Sequence, residues 1–451
     1  MRTFRWPMGQ IVFALGVVRG FAAAQEEPPA EPERQTASDA LEALDQRVRV
    51  LERKLELEKE VAEARTKESP VVTAGKDGFS FRSADGSFQL KLRGYVHADA
   101  RFYPADDDEL LTDTFVLRRV RPIFEGTFFR VFDFRIMPDF GGGTTVLQDA
   151  YLDTKFLPEL KLRVGKFKPP VGLERLQSAT DIRFVERAYP TALVPNRDVG
   201  AQLFGDLFED VISYQVGVFN GVVDGGSGDF DSHDEKDYAA RVFAHPLRRT
   251  EIDALSGLGI GVAGTLGNQQ GALPNIRSVG QATIFTYANG VSADGLRWRA
   301  SPQLYYYWNS FGLLAEYALS DQEVKLGNDT QWVRNEAWQI AATYLLTGEA
   351  NSYRSPDPRN PVDFNWNGWG VWELAARWTY LRVDQDAFPL LATTTASVNK
   401  ANELSGGVNW YLNRNVKLAL DYAWTEFQGG ASGGGDREHE HVIFARIQLA
   451  F

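Results

Sequence analysis

From about Phe79 onward, apolar and polar residues alternate with a period of two. In FQLKLRGYVHADARF, residues 88–102, Phe88, Leu90, Leu92, Gly94, Val96, Ala98 and Ala100 form one face, while Gln89, Lys91, Arg93, Tyr95, His97, Asp99 and Arg101 form the other. Successive side chains of a strand point to opposite faces. One face therefore suits hydrocarbon and the other suits water. VFDFRIMPDF repeats the split, with Phe132, Phe134 and Ile136 opposite Asp133, Arg135 and Asp139, and DAYLDTKF places Asp149, Tyr151, Asp153 and Lys155 on its polar side. In GWGVWELAARWTYL, Trp372, Leu374, Ala376, Trp378 and Tyr380 oppose Glu373 and Arg377. GVNWYLNRNVKLALDYAW reads as two long strands joined by an Asn-Arg-Asn turn. The closing stretch HVIFARIQLAF alternates Ile443, Ala445, Ile447, Leu449 and Phe451 with Arg446 and Gln448. A soluble sandwich would rarely keep charges on one face through so many strands. The pattern predicts an all-β transmembrane antiparallel barrel over residues 79–451, its last strand pairing with its first so that no edge is left in the bilayer. About 370 residues at about 23 per strand and connection give ~16 strands, enough for an aqueous channel.

Longer connections are polar and glycine-rich, as in NGVVDGGSGDFDSHDEKDY, NSYRSPDPRNPVDFNWN and QGGASGGGDREHE, and are expected on the side opposite the short turns. Ahead of the barrel the period differs. Leu41, Leu44, Val48, Leu51 and Leu55 step by three and four, which predicts a short coiled coil over 39–67, weakened by Glu58 and Ala62. Residues 25–38, rich in Glu, Pro, Ala and Gln, read as a disordered linker. Arg2 and Arg5 precede an apolar run from Ile11 to Val18 and small residues at Ala22 and Ala24, so residues 1–24 read as a signal peptide for export.

Composition fits a barrel: 29 Phe, 16 Tyr and 11 Trp supply interfacial aromatics, while mean hydropathy stays at -0.29 because half of each strand is polar. Cysteine is absent, which removes disulfides and thiolate metal sites. A net charge of -12 argues against a nucleic-acid partner. The partners the pattern calls for are outer-membrane lipid and small solutes.

Against this acidic background, residues 160–190 are locally basic, with Lys161, Arg163, Lys166, Lys168, Arg175, Arg183 and Arg187. Pro169, Pro170 and Gly172 end the strand, so Lys168 to about Asn196 is expected to be a long loop that folds into the barrel. Upstream, LRRVRPIFEGTFF adds Arg118, Arg119 and Arg121. Arg119 and Arg121 share a parity with Glu125 and are expected in the lumen. Arg118 shares a face with Val116, Val120 and Phe124, which predicts a strand end, a subunit contact or a snorkelled head, since an arginine at the midplane costs ~2–4 kcal/mol. Basic groups lining a constriction select anions. The bland alternative pairs these charges with Asp149, Asp153 and Glu125.

Catalysis lacks support: His97, His233, His245, His439 and His441 have no motif tying them to a nucleophile. The chain is read as a non-enzyme without cofactor or metal. His439 and His441 in HEH, and the acidic runs Asp106 to Glu109 and Asp229 to Glu235, are expected to be solvated rather than metal-binding. DFGGGTT lacks the Lys-Ser/Thr of a phosphate loop.

FQLKLRGYVHAD, RRVRPIFEGTFF, LQDAYLDTKF, LRVGKFKPPVGLERLQSA, FVERAYP, VWELAARW and GVNWYLNRNVKLALDYAW, in that order, resemble the phosphate-selective porin O and P family of bacterial outer membranes. The resemblance implies a 16-stranded barrel, a homotrimer, and passage of phosphate or polyphosphate past constriction arginines and lysines. Carried over by position, it implies an anion site of Arg118, Arg119, Arg175, Ser178 and Arg187 with Lys168 near its mouth, to which Arg121 adds a charge where aromatics are more usual. Tyr95 stands where family members have an arginine, Asp133 where they have a lysine, and Gln148 where they have an acid. These departures put phosphate itself in question while leaving anion preference in place. The alternative is a porin for other solutes, its coiled coil serving as a periplasmic spacer or envelope tether.

Overall fold

The computed structural model describes residues 37–75, 78–104, 111–231, 233–363 and 365–451. The signal-peptide expectation, the linker up to residue 36 and the acidic run 106–109 lie outside them. By contacts the chain divides into two units, Met1–Thr66 and Lys67–Phe451. Within the first, one helix, Ala37–Glu68, spans the predicted heptads.

The second unit is a closed antiparallel barrel of sixteen strands, running from a first strand Phe88–Phe102 to a last strand Glu440–Ala450. Each strand pairs with its sequence neighbours, and the last returns to the first in the register Ile443↔Phe102 to Ala450↔Tyr95. Phe451 seals the seam: its N–H donates to the Gly94 carbonyl and its own carbonyl accepts from the Gly94 N–H, both at 2.9 Å. The fit is close, since a Cβ on Gly94 would stand 3.0 Å from the Phe451 ring and oblige it to shift. Beyond Phe451 the first strand continues outward, and a hairpin, Val71–Gly75 with Gly78–Arg82, covers its remaining edge through Phe79↔Leu92 to Arg82↔Gln89. This satisfies the backbone where an open edge would otherwise face lipid.

Outward residues form the expected apolar band. Trp338 packs on Trp378 at 4.8 Å near one rim, and Trp372 stacks on Trp410 at 4.8 Å and 14° near the other. Trp372 and Arg382 bracket the band on one strand; ten residues at about 3.3 Å each, tilted by about 40°, cover about 25 Å, the height of an outer-membrane hydrocarbon layer. His441 and His439 belong to the loop-end rim, with Nδ1 of His441 2.7 Å from the Tyr422 hydroxyl and the His439 ring against Trp424. Among the described residues no cluster of metal-ligating side chains is present.

Two expectations need correction. The connection carrying NSYRSPDPRNPVDFNWN joins Leu345 to Val371 and therefore lies at the turn end, with the short turns after Phe128, Leu157, Trp308 and Tyr411. The loop end, conversely, contains the tight turn Leu326 to Asp329. Nor is the lumen uniformly polar. Toward the loop end, wall residues Ala318, Val333, Ala337, Leu381 and Phe444 form a buried apolar cluster with Val185, Tyr189 and Leu193 of the long inward loop and with Ile284 and Phe285 of the 272–290 connection. The alternation holds, but lumen positions covered by loops take core residues, because the loops need apolar wall to pack on.

Candidate functional site: the inward loop

The strand Leu160–Phe167 stops at the double proline, and the chain re-enters the wall at Asp198, as the proline and glycine positions require. Gly172 turns the loop inward at φ 81°, close against Val194, where a Cβ would lie 2.8 Å from its Cγ2. Wall side chains then hold the loop's backbone. Glu316 accepts from the N–H groups of Leu173 and Glu174 at 2.5 and 3.2 Å, and Asp421 accepts from the N–H of Val185 at 2.5 Å. Lys417 donates to the Ile182 carbonyl at 2.8 Å, Asn409 to Arg183 at 2.9 Å and Arg377 to Glu186 at 2.9 Å. The loop is thus fastened from both signs of charge, which satisfies irregular backbone at membrane depth.

A β-bulge puts both adjacent arginines in the lumen. The register shifts between His97↔Arg119 and Ala98↔Leu117, so Arg118 has no place on the outward face predicted for it. Its Nε donates to Glu186 at 2.7 Å and its Nη2 at 3.2 Å, while Arg101 reaches the same carboxylate at 3.0 Å. Glu186 is buried; burial alone would raise its pKa, but Arg118, then Arg119 and Arg101, hold it well below the usual carboxylate range. Arg121 pairs with Asp139 at 2.7 Å and donates to the Tyr95 hydroxyl at 2.7 Å. Tyr95 and Arg121 face each other across neighbouring strands, so the two departures from the family pattern are one structural unit. Its charge is largely spent on Asp139.

The other four cations make no ion pair among the described residues. Arg119 is buried and lies 3.3 Å from Nδ1 of His97. Lys168 and Arg187 both donate to the Gln177 carbonyl oxygen, at 2.9 and 3.0 Å, and Arg187 also to the Glu174 carbonyl at 3.3 Å. Arg175 donates to Asn196 Oδ1 at 3.1 Å and to the Thr191 carbonyl, and its buried Nε has no partner among the described residues. Burial, then Arg197 and Arg187, push the Lys168 ammonium well below its ordinary range; burial, then Arg187 and Arg197, lower Arg175. Like charges about 6 Å apart repel by about 3 kcal/mol at an effective dielectric constant of about 20, a cost that an oxyanion between them would relieve. Ser178 is exposed beside them, its Oγ 2.8 Å from that of Thr180.

Elsewhere in the lumen the three acids named from sequence are paired, but only Arg163 among the cations named with them is a partner. Arg163 grips Asp153 with two bonds of 2.7 Å, Arg197 meets Asp149 at 2.9 Å, Arg135 pairs with Glu125, and Arg446 holds Asp99 with two bonds of 2.7 Å. Lys168, Ser178, Arg135, Arg163 and Arg197 line a cavity of about 700 Å³ on the turn side of the loop. Its far wall includes Tyr353 and Arg354 of the connection that joins Leu345 to Val371, which bends into the lumen as an inward turn. That turn is tied to the loop: Arg183 donates to the carbonyls of Ser352 and Arg354 at 2.8 and 2.9 Å, Gln177 to Tyr353 at 2.6 Å, and the Ser355 hydroxyl to Thr180 at 3.0 Å.

Three contributors are not marked by the sequence pattern: Arg197, which bonds Asn196 Oδ1 at 2.8 Å beside Arg175; Glu186; and the inward turn. Arg197 carried a signal in its place at the loop's return to the wall. Glu186 carried none, since its partners are 68 and 85 residues away.

A closed sixteen-stranded barrel with an apolar outer band, aromatic rims and an inward loop narrowing its lumen defines a porin of the bacterial outer membrane, a channel and not an enzyme. The model of the family phosphate-selective porin O and P matches residues 88–451, and the chain belongs to that family. Porin O of Pseudomonas aeruginosa is 25% identical over 427 residues, covering 84% of this chain and 92% of that protein. Among solved structures, the outer membrane channel DcaP of Acinetobacter baumannii matches with a TM-score of 0.54 at 12% identity, over 84% of this chain and 100% of that one. OmpT of Vibrio cholerae, in its trimer form, matches with a TM-score of 0.50 at 11% identity, over 81% and 100%.

Proposed function

We propose that the protein is a passive, anion-selective porin whose inward loop binds phosphate or a similar oxyanion during passage. The observation that carries this reading is the group formed by Arg119, Lys168, Arg175 and Arg187, hydrogen-bonded to carbonyls, an amide or an imidazole in place of carboxylates, beside a lumen whose other arginines are largely ion-paired. Neutral acceptors orient these cations without cancelling them, leaving their charge for a passing anion. Ser178 offers a hydroxyl at the same place. Arg118 shapes the site through Glu186, and Arg121 contributes little net field because Asp139 neutralises it. We further propose that barrels assemble as homotrimers, in keeping with the trimeric OmpT relative.

The Tyr95–Arg121–Asp139 unit favours a second, broader specificity in which sulfate and small organic phosphates pass as readily as phosphate. Titration of the chloride current of the purified protein in a planar bilayer separates the two. Phosphate is expected to block at millimolar concentration or below. Sulfate blocking at the same concentration selects the broader reading, and absence of block by either removes the binding site from the account.

A further inference from the structure

The apolar stripe of the N-terminal helix is exposed among the described residues. Leu41, Leu44, Val48, Leu51 and Leu55 are between 44% and 68% exposed. Taken as positions a, d, a, d and a, they place Asp45 and Glu52 at e, and Arg47 and Lys54 at g. The flanks are thus segregated by sign, acidic on one side of the seam and basic on the other. In a parallel pair, g of one helix meets the following e of its neighbour, which sets Arg47 against Glu52 within the seam and Lys54 against Lys59 only past its last leucine. In an antiparallel pair, g meets g and e meets e, setting base against base and acid against acid. Arg47, Glu52 and Lys54 have no ion-pair partner among the described residues. Asp45 bonds Arg49 within the helix at 2.8 Å.

We infer that this helix packs against the same helix of further copies of the chain, parallel and in register, with Leu44 facing Leu44 and Arg47 facing Glu52 of the neighbour. The seam covers little more than two heptads, too short to hold isolated helices together in water. Barrels that are already associated would supply the high local concentration it needs. The inference rests on the homotrimer proposed above for that local concentration and for the number of helices, three. Parallel packing and register come from the charges.

The cysteine-free chain makes the test direct. Single-cysteine variants of the full-length protein in outer-membrane vesicles, oxidised with copper phenanthroline, report which residues meet across copies. Leu44→Cys is expected to form disulfide-linked pairs approaching two of every three chains, the third cysteine of each trimer being left over, whereas Gln46→Cys, at f on the outer side, is not. Cross-linking of Leu44→Cys should fall several-fold with Arg47→Glu and return when Glu52→Arg is added. Equal cross-linking at positions 44 and 46, or pairing of Leu44→Cys with Leu51→Cys in mixed samples, overturns the inference. Barrel folding is checked in each variant by heat-modifiable gel mobility. The mass of the native chain in detergent separates the two claims: a trimer whose Leu44→Cys form does not cross-link rejects the coil alone, and a monomer rejects the trimer.

Discussion

Replacing Arg187 by glutamine is expected to weaken phosphate block of the chloride current by about 10- to 100-fold, the equivalent of one charge-assisted hydrogen bond of about 1.5–3 kcal/mol. Arg187 and Lys168 share the Gln177 carbonyl, so the excess positive field at that point has two sources. Lys168→Gln combined with Arg187→Gln should therefore lose more than either alone and carry the reversal potential toward zero. Lys155 offers the control. It is a lumen cation already paired with Asp133 at 2.8 Å, and its glutamine variant should change block by less than about twofold, as a neutralised surface pair contributes little. Arg187→Lys keeps the charge but loses the planar fork, and should recover selectivity more fully than phosphate affinity. If Arg187 served only to hold the loop, single-channel conductance without phosphate would shift along with the affinity; an affinity loss at unchanged conductance places it on the anion.

The second large effect concerns the scaffold. Arg183 joins the inward loop to the inward turn and to the wall: its Nε meets Glu373 at 2.9 Å, and its fork donates to the Ser352 and Arg354 carbonyls and to Asn351. Glu373 is fully buried. Arg183→Ala strips a buried acid of its partner, a change that costs about 3–5 kcal/mol, and frees the turn from the loop. The expected result is at least a twofold rise in single-channel conductance, with flickering and a lower midpoint of heat-induced unfolding. Adding Glu373→Gln removes the uncompensated charge, so it should recover much of the unfolding midpoint and leave conductance high. Conductance that stays at the native value in both variants would show that the turn does not limit the pore.

Much of this was legible before the structure. Alternation over Phe88–Phe102, and again over Val371–Arg382, follows from a wall between lipid and lumen, and the sixteen strands follow from repeat length. Pro169, Pro170 and Gly172 located the inward loop because they exclude a strand. What stayed hidden depends on pairing. A bulge leaves no compositional mark, so parity assigned Arg118 to the wrong face; two adjacent arginines inside one strand were themselves the clue, since an unbroken strand would send one of them into lipid. The fate of residues 346–370 was equally closed to periodicity, because a polar stretch looks alike whether it fills a lumen or reaches into solvent. Likewise Ile284 and Phe285 sit in a connection and carry no period; only the inward loop's apolar side explains them.

The central claim is that unpaired cations at the inward loop make the pore choose anions. The reversal potential of the purified protein across a tenfold gradient of potassium chloride tests it most directly. The expected potential lies well toward the chloride equilibrium value and is steeper at low salt, where fields of buried charge are screened least. A potential toward the potassium equilibrium value would contradict it, leaving the barrel intact and its constriction without the role assigned here.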